Sequence, residues 1–321
     1  MKKRFKVDNR EAFAVVEPNM LSYEDFPPSK ALADGMKTLQ AEFGEISCYY
    51  RHNVVYAHRD GLDLTLQIVG AYTSGQGEKR YPLAVFVQGS GWRKQDVYCN
   101  LPRLADFAKR GYVVAIVEYR PSTVAPFPAQ VQDTKTAIRF LRKNAAEFHI
   151  LPDQVFLWGD SSGGHTAVLA GITQDRAELD NQGEEGLDCG VKAIVDYYGP
   201  MDISKMNEAP SIQDHYGADS PEGLLIGGNP VLEHPELVQP TVPMNYINRG
   251  TEIPPILILH GDKDRLVPFE QSILLYEKLK QEGKTAALYK IQGADHGGGV
   301  FWTDRIYQII EDFLALAGIK K

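Results

Sequence analysis

Gln154–Gly171 reads QVFLWGDSSGGHTAVLAG, and this stretch decides the fold. A β-rich apolar run stops at Gly159, two serines and two glycines follow, and a pattern that can wind into a helix begins at once. A sharp strand–turn–helix of this kind holds its central residue in a strained backbone conformation and pushes that side chain outward. The residues two before and two after it come close together and must be small. Ser161 has Gly159 and Gly163 at those places, whereas Ser162 would have Asp160 at the first, which is too bulky. Ser161 is therefore the candidate nucleophile. Ser162 contributes its backbone N–H, which at the start of a helix can meet a developing oxyanion. Composition alone produces such a motif in roughly one chain of this kind in ten, so its partners carry weight.

Outward from this turn, short β-rich runs alternate with helical stretches. The runs cover 81–87, 112–119, 154–158, 191–198, 255–260 and 286–291. They are near-continuous in Val, Ile, Leu and Ala, as strands covered on both faces are. The helical stretches between and after them cover 131–148, 164–173, 269–283 and 301–318. This alternation predicts an α/β fold, a mostly parallel central sheet with helices on both faces. Before it, 53–70 alternates in the strand period, and Asp60–Gly61 reads as the turn of a hairpin. That hairpin would add antiparallel strands at one edge. The expected organisation is one domain over 1–321, with 1–50 as an N-terminal extension holding a helix at Ser29–Phe43. Residues 201–253, rich in Pro, Gly, Asn and Glu and weakly periodic, form an insertion read as a cap over a pocket.

Bulk properties exclude several classes. The chain has 321 residues, 43% of them hydrophobic, enough for a large core. Its net charge of −8 and a pI near 5.5 argue against a nucleic-acid partner. The basic start, MKKRFK, is followed by charge and Pro rather than an apolar run, and no window approaches the length of a membrane helix. Three widely spaced cysteines, Cys48, Cys99 and Cys189, suit a reducing compartment and show no zinc spacing. The expected setting is the cytoplasm, with no membrane or nucleic-acid partner and with room for a homo-oligomer.

A serine hydroxyl needs a base, and the base needs an acid to orient it. On an α/β sheet the chain order is serine, acid, histidine. His296, in GADHGGG after the last strand-like run, stands where the base belongs. His260 ends a strand and braces its loop, His165 in the nucleophile helix packs, and His215 and His234 fall in the cap. The acid belongs in HGDKDRLVP, where Asp262 and Asp264 both qualify and spacing does not separate them. The loop after 81–87, Gln88–Lys94, supplies oxyanion donors from Ser90 and Gly91, together with Ser162. Its Gly-x-Gly lacks the third glycine of a dinucleotide loop, because Lys94 occupies that place.

Four blocks together resemble the α/β-hydrolase esterases of the hormone-sensitive-lipase-like and bacterial feruloyl- and acetyl-esterase-like groups. They are VFVQGSGWR (85–93), WGDSSGGHTA (158–167), YGPMDI with SPEGLLIGG (198–203, 220–228), and ILHGDKDRLVP with GADHG (258–268, 293–297). The resemblance covers about residues 80 to 300. It implies Ser161 as nucleophile, His296 as base and, of the two aspartates, Asp264 as acid, with 201–253 lining the substrate pocket. The chain departs from the group at one block: His-Gly-Gly-Gly-Trp becomes Gln88-Gly89-Ser90-Gly91-Trp92. Gln88 must then brace the loop by other hydrogen bonds, and the Ser90 hydroxyl comes near the acyl group. Trp92 and Gly89 are expected to border the substrate. The function implied is a serine carboxylesterase for short acyl esters, acetylated or feruloylated carbohydrates included, needing no metal or organic cofactor. The alternatives are an amidase or peptidase with the same triad, and a binding protein that has lost turnover.

Overall fold

Five of the apolar runs of the sequence become the buried centre of an eight-stranded sheet, and the sixth, 286–291, becomes one of its edges. The computed structural model describes residues 4–5, 13–14, 18–42, 44–73, 79–174, 176–181 and 187–321. They divide into two compact units, Met1–Glu42 and Phe43–Lys321. The boundary lies before 50 because Ile46 already opens the edge strand of the large sheet. In the first unit β1 (Arg4–Phe5) pairs antiparallel with β2 (Phe13–Ala14). The helix expected at Ser29–Phe43 does not form over 29–42, which are coil and a turn; Phe43 lies outside the described residues. Its would-be apolar face, Leu32, Met36 and Leu39, is exposed. An isolated helix of this length is marginal in water without packing.

In the second unit β3 (Ile46–Arg59) and β4 (Leu62–Thr73) form the hairpin, and Asp60 (φ 49°) and Gly61 (φ 75°) make its turn. Positive φ at both central residues matches the turn to the strand twist. The other strands are β5 (Tyr81–Val87), β6 (Val113–Val117), β7 (Ile150–Asp160), β8 (Ile194–Tyr197), β9 (Ile256–Gly261) and β10 (Ala286–Ile291). Their order is β10-β9-β8-β7-β5-β6-β4-β3, parallel from β10 to β6 and antiparallel at β6–β4 and β4–β3. This is the α/β-hydrolase fold. On one face Leu83, Val85 and Val87 of β5 share a core with α2 (Ala129–Lys143), α3 (Ser162–Ile172) and α6 (Glu270–Gln281). On the other, Ala84 and Phe86 meet α1 (Leu101–Ala108) and α7 (Asp304–Leu316). α1 escapes a periodicity reading because it has only eight residues. No described helix is long and apolar enough to cross a membrane.

The 201–253 insertion is a set of short turns with its own core. It contains α4 (Pro221–Leu225), α5 (Pro235–Val238) and 3₁₀ turns at Ile203–Glu208, Val231–Glu233, Gln239–Thr241 and Pro243–Tyr246. Ile203, Leu225, Ile226, Val231, Val238 and Val242 close around Trp92. Elements this short leave no period in the sequence.

One buried carboxyl makes stability depend on pH. Asp196 in β8 is fully buried; its Oδ1 accepts the Gly199 N–H at 3.1 Å, and Oδ2 has no partner among the described residues. Burial pushes its pKa up to about 8, against the pull of the Gly199 hydrogen bond. The folded state therefore holds this proton over a range in which the unfolded chain has lost it. Stability falls as pH rises from the unfolded value toward 8. Asp196→Asn keeps the Gly199 hydrogen bond and cannot ionise. Its stability advantage over wild type is expected to grow by roughly 3–4 kcal/mol between pH 5 and pH 8, read by urea unfolding. An advantage that does not change with pH would show that Asp196 does not titrate in this range.

Candidate active site

The turn after β7 places Ser161 at φ 53°, ψ −128°, a region that costs an L-residue about 1–3 kcal/mol. The surroundings hold it there: the Ser161 N–H donates to Tyr197 O at 2.8 Å. A Cβ at position 159 would lie 2.2 Å from Gly163 O, and one at 163 would lie 2.0 Å from Val87 O. Both glycines are thus required by close backbone approach, and the Ser161 side chain stands clear of the sheet.

Three residues far apart in the chain meet at this turn. Ser161 Oγ lies 2.9 Å from His296 Nε2, and His296 Nδ1 lies 2.7 Å from Asp264 Oδ2. Asp264 is buried and held on all sides. Its Oδ1 accepts the N–H groups of Leu266 and Val267, both at 2.9 Å, and Oδ2 also accepts from His260 Nε2 at 3.1 Å. Burial alone would raise its pKa, but the hydrogen bonds and charge of His260 and His296 outweigh it and hold the carboxyl well below the usual range. Asp262 faces elsewhere, accepting the Gly293 N–H at 2.6 Å in a turn. The two aspartates that spacing left equivalent therefore occupy different places. His260 braces the loop through Ser272 (2.7 Å) and Val267 O (2.9 Å), and also touches the acid itself. His165 packs in the core: burial lowers its pKa to about 4, and its Nε2 donates to Thr241 O at 2.7 Å.

The loops bearing Asp264 and His296 are tied by their immediate neighbours. Asp295 Oδ1 accepts the backbone N–H of Arg265 (3.0 Å) and of His296 (2.8 Å), while Oδ2 receives Arg265 Nε at 2.6 Å. Nothing in the sequence marked Asp295 beyond its place before His296. Asp295→Ala removes the carboxylate oxygen that accepts both backbone N–H groups and loosens the imidazole relative to its acid. The expected loss in kcat/KM is about tenfold, with a smaller loss for Asp295→Asn, which keeps one acceptor. Steady-state kinetics on any ester the enzyme turns over decides it; unchanged values would make the pair a surface ornament.

Of the three sequence-assigned oxyanion donors, Gly91 and Ser162 have backbone N–H groups with no acceptor among the described residues. Ser90 does not fit as assigned. Its N–H donates to Ser162 Oγ at 2.9 Å, and its hydroxyl turns to Arg93 O at 2.7 Å rather than toward an acyl group. The hydroxyl that follows the nucleophile is a nearby acceptor and captures this amide. Gly89 lines the larger of the two cavities that open at Ser161, and its N–H is not free: it is taken by Asp160 Oδ1 at 2.7 Å. Asp160 thereby anchors the loop. Burial raises its pKa to about 6, against the stabilising Gly89 N–H. Gln88 completes the brace: Oε1 accepts from Asn100 at 3.2 Å, and the carbonyl accepts the Tyr119 O–H at 3.0 Å. In the sequence Asp160 stood only as a neighbour too bulky for Ser162 to be the nucleophile, and this role was missed; Asn100 and Tyr119 had no local signal.

Two cavities open at Ser161. One, of about 230 Å³, lies under the cap and is bounded by Gly91, Trp92, Pro221, Val267 and the His215–Glu222 pair. Trp92 borders it, but its indole is 1% exposed and packs in the cap core, edge-on to His165. It is therefore a core residue first and a wall second. His215, which the sequence placed in the cap, is buried, 2.8 Å from Glu222 Oε1. The second cavity, of about 380 Å³, is walled by Gln88, Asn100, Arg103, Tyr198, Trp302 and the His296–Gly298 turn. Among the described residues no three His, Cys, Asp or Glu side chains gather as a metal site.

Fold and site together define an α/β hydrolase built as the esterases are. Residues 69–279 match the BD-FAE family model, and the chain belongs to that family. It is 30% identical over 224 residues to esterase LipC of Mycobacterium tuberculosis (strain ATCC 25618 / H37Rv), which covers 68% of this chain and 53% of that protein. It is 27% identical over 279 residues to a probable isoprenylcysteine alpha-carbonyl methylesterase, ICME, of Oryza sativa subsp. japonica, covering 82% and 63% of the two chains. The chain spans about half the length of the first of these curated relatives. A solved truncated form of a carbohydrate esterase from gut microbiota superposes with a TM-score of 0.72 at 31% identity, covering 87% of this chain and 99% of that one. The propionate-bound Est2 esterase of Thermogutta terrifontis gives 0.67 at 25% identity, covering 85% and 95%.

Proposed function

We propose that the chain is a serine carboxylesterase that hydrolyses short acyl esters, acetylated or feruloylated carbohydrates among them, through an acyl-enzyme. The observation that carries this reading is the 2.9 Å approach of Ser161 Oγ to His296 Nε2, with Asp264 on the far nitrogen. An acid on Nδ1 keeps the proton there, so Nε2 is free to accept the proton of Ser161 as it attacks the ester carbonyl. The N–H groups of Gly91 and Ser162 receive the oxyanion, and a donor of this kind is worth roughly 3–4 kcal/mol. His296 then protonates the leaving alcohol, and water repeats the cycle on the acyl-enzyme. The small cavity under the cap supports short acyl groups. The likeness to a carbohydrate esterase supports a sugar as the alcohol. Three unpaired thiols accord with a cytoplasmic setting.

Fluorophosphonate labelling, mapped by mass spectrometry, tests the chemistry, with Ser161 expected to carry the adduct. A panel of p-nitrophenyl esters of rising chain length, with feruloyl and acetyl-sugar esters, tests the substrate. Label elsewhere sinks the mechanism. Activity that rises through long chains sinks the short-acyl reading, and an amide cleaved faster than its matched ester sinks the esterase in favour of an amidase.

A further inference from the structure

Arg103 stands at the second cavity without an acid. Among the described residues, every other arginine that is not exposed has a carboxylate at ion-pair distance: Arg59 with Asp133, Arg110 with Asp304 and Glu311, Arg120 with Asp60 and Asp133, Arg139 with Asp180, and Arg142 with Asp188. Arg103 has none among the described residues. It is half-buried, with its guanidinium carbon 5.5 Å from the centre of the Trp302 ring and Nη1 donating to Asn100 Oδ1 at 3.1 Å. A guanidinium presents five donors in a planar fork, so these contacts leave most of its hydrogen-bonding edge unused. The acid in the same wall, Asp160, is already hydrogen-bonded to the Gly89 N–H, and Asn100 Nδ2 stands 3.5 Å from its other oxygen. The remaining charged or titratable groups that face the cavity are His296, Tyr198 and Cys99.

The cavity that holds this cation also holds the nucleophile. Ser161 and His296 both line it, and so do Gly297 and Gly298 beyond the imidazole. A leaving alcohol must sit where His296 Nε2 can return a proton to it. The capped cavity is the smaller of the two and suits the acyl chain. The alcohol half then occupies the larger one, beside Trp302 and Arg103. We propose that this cavity is an alcohol subsite selective for esters whose alcohol carries a carboxylate, such as an acylated sugar acid or hydroxy acid, with Arg103 as the anchor of that carboxylate. The proposal rests on the esterase reading for the direction in which substrate lies. Arg103 takes no part in bond making. It holds the alcohol, and a fork-to-carboxylate contact made equally in ground and transition states lowers KM.

The test uses two acetyl esters that differ in one charge, 4-acetoxybenzoate and its methyl ester, with wild type, Arg103→Met and Arg103→Lys. Arg103→Met is expected to lose about tenfold or more in kcat/KM on the carboxylate through KM, and to change less than about twofold on the methyl ester. Arg103→Lys is expected to recover part of the loss, and added salt to weaken the wild-type preference. If both esters fall alike in Arg103→Met, or if neither changes, Arg103 merely covers Trp302 and the proposal is overturned. Calorimetric titration with 4-hydroxybenzoate and its methyl ester reads the subsite without turnover. Binding of the carboxylate that disappears in Arg103→Met supports the subsite even where neither ester is cleaved, an outcome that removes the esterase reading alone. No binding of the carboxylate to wild type removes the subsite.

Discussion

Ser161→Ala is expected to lower kcat on a p-nitrophenyl ester by about 10⁴-fold or more, with the fold intact. Alanine removes the only atom that Ser161 offers to His296 Nε2, and no other hydroxyl takes its place. Ser162 Oγ is turned to the Ser90 N–H at 2.9 Å. The backbone strain at φ 53° is the same for alanine, so the melting temperature should move little. His296→Ala should match it, because a nucleophile without its base is no better than a base without its nucleophile. The double variant should then lose little more, since residues that act as a unit are far from additive. The residual rate would come from the Gly91 and Ser162 amides and from substrate binding alone. Full activity in Ser161→Ala would end the mechanism.

Asp264→Asn is expected to cost about 10³–10⁴-fold in kcat and to destabilise the protein as well. The carboxylate has four donors around it, the imidazoles of His260 and His296 and the amides of Leu266 and Val267. An amide has one acceptor oxygen. With that oxygen on the two backbone N–H groups, its NH₂ confronts both histidines. His296 then carries its proton on Nε2, the wrong nitrogen to take one from Ser161. The pH dependence has a definite sign. The folded pKa of Asp264 is depressed, so its stabilising contribution is present above the unfolded value near 4 and is lost as pH falls below it. The stability gap between wild type and Asp264→Asn, measured by urea unfolding at pH 7, should narrow below about pH 4. If Asp264→Asn keeps more than about a tenth of kcat, the orienting acid is another group and Asp262→Asn is the next variant to measure.

Much of this was legible in the sequence, for a common reason. Strands covered on both faces must be apolar along their whole length, so the run at 81–87 coincides with β5; the run at 286–291 coincides with β10 through its β-rich residues, although that strand lies at the sheet edge with Tyr289 and Lys290 exposed. The turn at Asp60–Gly61 needs positive φ and shows it in its residue types. The elbow needs two residues without side chains, and Gly159 and Gly163 record that need locally. The helix expected at Ser29–Phe43 failed because helical periodicity measures a potential face and not a partner to bury it. The cap was legible as an anomaly only, since turns of three to six residues carry no period.

The sequence by itself determined the fold class, the serine on the bend and the histidine that follows the last strand, because each depends on residues adjacent in the chain. Spacing left open which aspartate faces the imidazole and only the family resemblance named Asp264; tertiary structure alone decided which amides stay free and where Arg103 lies without an acid. Those outcomes depend on hydrogen bonds between atoms brought together from distant segments. Ser90 competes for Ser162 across 72 positions, and Asp264 reaches His296 across 32. No local pattern encodes which of several nearby donors and acceptors will pair once the chain has closed.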